Sequence, residues 1–351
     1  NPDQEAKGNT AIGYQSMREH YVNDDPTKAN TALGYQSMWD ISNGTYNIAL
    51  GNQTMYHVGN LSEKNVAIGS QSMFNGKNTW NVSIGYEALK RNGVTETTES
   101  SKNIAIGYQP NYKNTTGSEN VSIGYQSQYE NTSGEKNIGI GSSSLHDNTD
   151  GNDNISIGWE SLKTNITSNK NISIGNESLK NAGSLSYTTA DENISIGNKS
   201  LTAHLDGSYN TYLGNNAGEY DISGQENTVI GYSSFNQNID GKGNTSLGFK
   251  SGEGCKGDYN IIVGYKADIP GEGNDSTDGA VGFGEFVDYS ISVGYKSQVK
   301  SSQNIAIGQE SLIDFPRNSE GVRTDSNDIS GSIAIGNFSN VSKRRSMAIG
   351  V

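Results

Sequence analysis

The chain has 351 residues, a formal net charge of −13, 32% apolar residues, 44 glycines, 5 prolines and one cysteine. That charge disfavours a phosphate-backbone partner, and the lone Cys255 excludes an internal disulfide or a four-cysteine metal site. No run approaches the roughly 18 apolar residues of a membrane helix, and the apolar fraction supports only a thin core between two strand walls.

From the N-terminal side, the first element is the pentapeptide Asn9-Thr10-Ala11-Ile12-Gly13, which recurs at Asn103 to Gly107, Asn171 to Gly175 and Asn304 to Gly308. Counting the closing glycine as position zero, position −1 is aliphatic in all twenty copies and position −2 is mostly Ala, Ser or Gly. Position −3 is Ile, Val, Thr or Met in every copy but the one ending at Gly282, where Gly279 stands. The alternation has period two and predicts a strand. Its −3 and −1 side chains, such as Ile104 and Ile106, are expected to pack inward, with Ala105 on the opposite face. The usual spacing between glycines is 17 residues. A short unit with variable insertions predicts an all-β parallel solenoid of about twenty coils. At about 4.8 Å per coil the whole is expected to be elongated, on the order of 95 Å.

A weaker second strand is expected after each glycine, as in Tyr14 to Met17, Tyr35 to Met38, Trp159 to Leu162 and Asn176 to Leu179. It supplies one large apolar residue per coil. The glycine at zero suits the turn between the two strands if it has positive φ, so Gly175→Val is expected to destabilise. Ile174→Asp is expected to be worse, as a charge in a dry wall. Asn at −4 occurs in sixteen copies, including Asn9, Asn103, Asn171 and Asn304. Its amide can bond the same amide one coil away, forming a ladder. The repeat also generates glycosylation sequons at Asn81, Asn120 and Asn171, which for that reason carry little information.

The regular solenoid is expected over 1–264. An irregular continuation is expected over 265–351, with insertions 268–279 and 313–330 and an uncertain register near 279–294. Other long loops are 18–28, 91–101 and 182–192. The abrupt ends make the chain read as a piece of something longer.

The residues offer little chemistry. His20, His57, His146 and His204 are scattered, no nucleophile elbow or phosphate loop occurs, and the carboxylates are dispersed. Segment 147–153 superficially resembles a calcium loop but lacks its spacing and terminal Glu, so it reads as a solvated turn. No catalytic residue, cofactor or metal is expected, and Cys255 reads as a free loop thiol. Aromatic residues recur at +1, among them Tyr14, Tyr86, Tyr108, Trp159 and Tyr265. They predict a stacking column or subunit contact, and alternatively a sugar-stacking surface.

The units Asn65 to Gly69, Asn103 to Gly107 and Asn304 to Gly308 resemble the head repeat of trimeric autotransporter adhesins. The longer unit Asn30 to Met38 also resembles repeats of phage and viral tail fibres. The resemblance covers essentially the whole chain. It implies a left-handed parallel β-roll and a homotrimer. Two departures are units near 17 rather than 14 residues, and no visible neck or stalk.

The expected function is therefore a non-enzymatic fibre or adhesin head on a virion or cell surface, attaching to a host receptor or surface glycan. Neither nucleic-acid binding nor membrane insertion by this segment is expected. A polysaccharide-degrading tail spike and a purely structural filament are the alternatives. Loops are where such a repeat can be particular, so Tyr21, Tyr187, Phe315 and Arg317 are the candidate receptor contacts.

Overall fold

A computed structural model describes residues 8–18, 29–41, 44–58, 62–75, 78–93, 100–183, 190–269, 287–314, 331–343 and 345–350. Every regular element among them is a short β-strand, and the fold is a parallel β-solenoid. The chain divides into two compact units. The first runs to Asn176 and takes in Gly183; the second comprises Glu177–Ala182 and the described residues from Ala190 onward. Strands of the first unit include Thr10–Ile12, Ile104–Tyr108, Ile138–Ile140, Ile155–Ile157 and Ile172–Ile174. Those of the second include Ile194–Ile196, Thr211–Leu213, Ile305–Ile307 and Met347–Ile349. Neighbours pair in parallel and in register, so like stacks on like: Ile138 lies beside Ile155, Gly139 beside Ser156 and Ile140 beside Ile157.

The expected strand alternation is present, but its faces are reversed. Ala105 is 0% exposed, whereas Ile104 is 37% exposed and Ile106 half-buried. The −2 residue points into the coil and the −3 and −1 residues point out of it. Ile12 and Ile307 are exposed, and Ile174 is half-buried beside the buried Ser173. The reason is the width of the coil. The facing wall presents a Ser at +3 and a large residue at +4, which leave room for little more than a methyl or hydroxymethyl group. An added Cβ on Gly139 would lie 2.6 Å from Ser127 Oγ. Ile174 therefore does not sit in a dry wall of its own chain, and the argument for severe destabilisation by Ile174→Asp does not hold there.

The second strand is also corrected. In the longer coils the segment after the glycine is a turn whose +2 and +4 residues are left-handed, as at Gln36 (φ 49°), Met38 (φ 52°), Glu160 (φ 51°) and Leu162 (φ 49°). Left-handed backbone costs a non-glycine residue on the order of 1 kcal/mol. Burial of the +4 side chain, worth roughly 1.5–3 kcal/mol, offsets it. Met38, Met55, Met73, Leu89, Leu145 and Leu162 are all fully buried at this position, so the one large apolar residue per coil is indeed there. Ser161 and Leu162, consecutive and both buried, show that no strand with one inner face could place them. Among the described residues, second strands pair in parallel in late coils of the second unit, at Gln298–Val299, Leu312–Ile313 and Asn340–Val341, and in the first unit Asn78–Thr79 pairs with Ser100–Ser101 further along the coil.

The Asn ladder forms as expected. Asn137 Nδ2 donates to the Gly151 carbonyl (2.7 Å), and its Oδ1 accepts the backbone N–H of Asn154 (3.0 Å). Asn103 and Asn171 repeat the arrangement, each backbone N–H donating to the preceding Asn at 2.7 Å and 3.0 Å. Asn9 Oδ1 accepts from the Asn30 N–H at 2.8 Å. Asn304 donates to Ser290 Oγ at a longer 3.4 Å, because Ser has replaced Asn there. Asn81, Asn120 and Asn171 are buried in this ladder, so a glycan does not fit on them in the folded chain. The zero glycines meet two demands at once. Gly107 has φ +137°, and a Cβ on it would clash with the Gly124 carbonyl of the next coil. Gly13 and Gly308 share this geometry, and Gly175 has the anticipated positive φ of 136°.

Where one inner position departs from the pattern, a neighbour compensates in volume. Tyr212 occupies a −2 position inside the coil, and Gly218 of the same coil stands where other coils place Leu or Met. A Cβ on Gly218 would clash with the Tyr212 ring. Gln128 likewise lies against Gly139.

Three substitutions test this reading. Asn137→Ala leaves the Asn154 N–H without its partner and takes from the Gly151 carbonyl the shorter of its two donors, Asn148 Nδ2 remaining at 3.1 Å. It should cost about 1–3 kcal/mol in chemical unfolding; no change would mean that the ladder does not bear on stability. Tyr212→Ser opens a cavity, costing about 3 kcal/mol, and Gly218→Leu overpacks the coil by about 1–3 kcal/mol. Together they recreate the ordinary repeat, so the double variant should be markedly more stable than the sum of the two losses.

Candidate functional site

The reversal of the strand faces creates the most conspicuous surface of the molecule. In each unit the −3, −1 and +1 side chains share the outer face of the main strands, as Ile104, Ile106 and Tyr108 show. In the first unit Ile12, Leu33 and Ile48 are exposed along it, and in the second Leu213, Ile230 and Leu247. Aliphatic and aromatic side chains thus line up coil after coil in water. Exposed apolar surface of this continuity marks an interaction face.

The +1 aromatic residues form the expected stacks. Ring centroids are 5.5 Å apart for Tyr14 and Tyr35, and 5.2 Å for both Tyr86–Tyr108 and Tyr108–Tyr125. In the second unit Tyr232, Phe249, Tyr265 and Tyr295 stack at 5.2–5.4 Å, with interplanar angles of 8–12°. Rings stacked this way cover one another's faces and present edges and hydroxyls to solvent. That geometry suits a ladder or a subunit contact. It leaves few ring faces for the CH–π contact that a sugar uses.

A second aromatic column, at +5 in the first unit, escaped the sequence reading. Trp39, Tyr56 and Phe74 stack in one run, and Tyr112, Tyr129 and His146 in another. Arg18 lies 4.7 Å over Trp39, and Lys90 lies 5.7 Å from both Phe74 and Tyr112. Cations thus cap the column's runs of rings, Arg18 before Trp39 and Lys90 between Phe74 and Tyr112. The constant offset of five from each repeat glycine is the signal that would have found it. The inter-coil ion pair Lys113–Glu130 (2.7 Å) lies beside it, and Lys102–Glu119 (2.8 Å) joins coils elsewhere; direct hydrogen bonding raises both Lys and lowers the Glu119 carboxyl. Exposed pairs of this kind contribute little.

The remaining polar groups are mostly occupied by the stack. Asp150, in the segment that superficially resembles a calcium loop, accepts from Ser133 (2.5 Å) and from Thr132 and Thr149 (both 3.2 Å). His57 lies 3.4 Å from Asp40, and His146 lies 2.6 Å from Asp147. No group of three or more His, Cys, Asp or Glu is placed to hold a metal ion among the described residues. Cys255 is not in an exposed loop but fully buried, with its thiol pushed up to about 12 by burial. His20 and the four candidate contacts Tyr21, Tyr187, Phe315 and Arg317 lie outside the described residues. No helix among the described residues is long and apolar enough to cross a membrane. No protein-family model matches this chain, and no curated protein is similar to it.

Proposed function

We propose that the chain is part of a homotrimeric fibre or adhesin head on a virion or cell surface, attaching to a host receptor or surface glycan. The observation that carries this reading is the outer face of −3 and −1 aliphatics. A single solenoid leaves on its surface the residues that would ordinarily make its core, and each such side chain gains about 1.5–3 kcal/mol on full burial. Copies of the same chain offer the natural cover, because their repeat brings a matching aliphatic row at the same coil spacing. The adhesin head repeats that Asn103 to Gly107 resembles are trimeric, which sets the expected number of copies. Tyr21, Tyr187, Phe315 and Arg317, in the insertions, are proposed as receptor contacts.

Native mass measurement tests the assembly: three copies of the 37.5 kDa chain are expected, and a stable single chain refutes it. Ile104→Asp together with Ile157→Asp should shift the mass towards single chains while the β-sheet circular dichroism persists. Attachment is a separate measurement. Removing loops 182–192 and 313–330, with the assembly checked intact, should reduce binding to target cells or glycan arrays. Unchanged binding after loops 18–28, 91–101 and 268–279 are also trimmed would remove the insertions as the contact.

A further inference from the structure

Seven residues after each repeat glycine lies a second inner column. In the first unit it begins with the buried Ile41 and Val58 and becomes a run of asparagines from Asn92 to Asn165. Asn131 Nδ2 donates to Asn114 Oδ1 (3.1 Å), Asn148 to Asn131 (3.1 Å) and Asn165 to Asn148 (2.8 Å), and each also donates to a carbonyl of its own coil. Every member of that run is neutral.

In the second unit the same column holds His204, Asp221, Asn238 and Cys255, all fully buried. His204 Nε2 lies 2.9 Å from the Gly207 carbonyl, to which it donates, while its Nδ1 has no partner. One coil on, the Asp221 carboxylate accepts from the Tyr212 hydroxyl through one oxygen and from the Gly224 N–H (2.7 Å) through the other. The titratable groups around it are His204 before it, Tyr212 on the strand of its own coil, and beyond Asn238 the thiol of Cys255. Among the described residues Asp221 has no salt bridge. A buried carboxylate surrounded by the neutral Tyr212 hydroxyl, Gly224 N–H and Asn238 side chain is a costly group, and becomes an ordinary one when it takes up a proton.

We propose that the buried Tyr212–Asp221 pair, flanked by His204, makes the second unit a proton-dependent element that tightens in mild acid and loosens towards neutral pH. Burial is the largest influence on the Asp221 carboxyl and holds it above the usual aspartate range. The neighbouring His204, the Tyr212 hydroxyl, the Gly224 N–H and the Asn238 side chain pull the other way without cancelling it. A raised acid binds its proton more tightly folded than unfolded. Its contribution is therefore complete below the ordinary aspartate value and is lost as pH rises through the raised one. The exposed Glu119 carboxylate, lowered by Lys102, has the opposite sign. The readout must therefore be a difference between variants. The device is independent of what the fibre binds.

The test uses the full chain, with thermal unfolding followed across pH and amide exchange by mass spectrometry localising the effect to 204–224. Asp221→Asn should be more stable than the wild type at neutral pH, and the gap should close as pH falls to the ordinary aspartate range. Tyr212→Phe removes a donor to the charged form and should extend the wild-type loss of stability to higher pH. His204→Gln should leave the closing of the gap in place when made in both backgrounds. A gap that is constant with pH or widens in acid overturns the proposal, as does an unchanged profile in Tyr212→Phe. Disappearance of the pH dependence in His204→Gln also overturns it, since the histidine would then be the sensor.

Discussion

The narrowness of the coil governs nearly every other feature of this chain. Two walls this close leave between them mostly small −2 residues, +3 serines and one larger +4 side chain, with Tyr212, Val229 and Ile262 as the larger −2 residues. The serines fit because they bond across the gap. Ser144 Oγ donates to the Ser156 carbonyl at 3.0 Å, and Ser156 Oγ donates to the Ser161 carbonyl at 2.7 Å. The interior is therefore stitched by hydroxyls and amides as much as packed by apolar groups. It tolerates these polar groups because the stacking gives most of them partners. Large strand residues are driven outward for want of room unless the facing wall yields, as Gly218 does for Tyr212.

That exclusion explains the odd distribution of apolar surface. The chain places its aliphatics on two sides: +4 residues such as Leu145 and Leu162 inside, and −3 and −1 residues such as Ile104 and Ile157 outside. A globular protein would have buried both sets. Here the second set remains for a surface other than the coil's own, and the stacked tyrosines flank it. The same narrowness sets the glycine column, since backbones at the corner approach until a Cβ has no space.

Stacking like on like also explains where the two units differ. A column of identical asparagines is self-consistent, each amide being both donor and acceptor. Replacing one member by His or Asp breaks that reciprocity: a neutral imidazole has its donor and acceptor on opposite sides of the ring, out of register with an amide column, and a carboxylate only accepts. The second unit contains both replacements in adjacent coils, with Tyr212 entering the core to donate to Asp221 and Gly218 making room for its ring. The Tyr212 hydroxyl is itself held well above its ordinary value, by burial first and then by the charge of Asp221. Three departures from the repeat are thus one structural event.

The period-two alternation of Asn103 to Gly107, the glycine spacing and the Asn at −4 were enough to determine strands, coils, parallel stacking and the amide ladder, because these follow from the backbone and from identical neighbours. The +1 stacks were equally legible. Which face of the strand is inside was not, since Ile-Ala-Ile alternates equally well about either face. Only the facing wall decides that small residues fit and large ones do not. The turn at +1 to +4 was misread for a related reason. Tyr-Gln-Ser-Met looks like a strand until Ser37 and Met38 are both found buried, which requires left-handed backbone that local sequence does not announce. His204 and Asp221 both stand seven residues after a repeat glycine, so the repeat itself stacks them one coil apart. Only the tertiary structure decided that this column lies inside the coil and that Tyr212, from the strand, reaches across to Asp221.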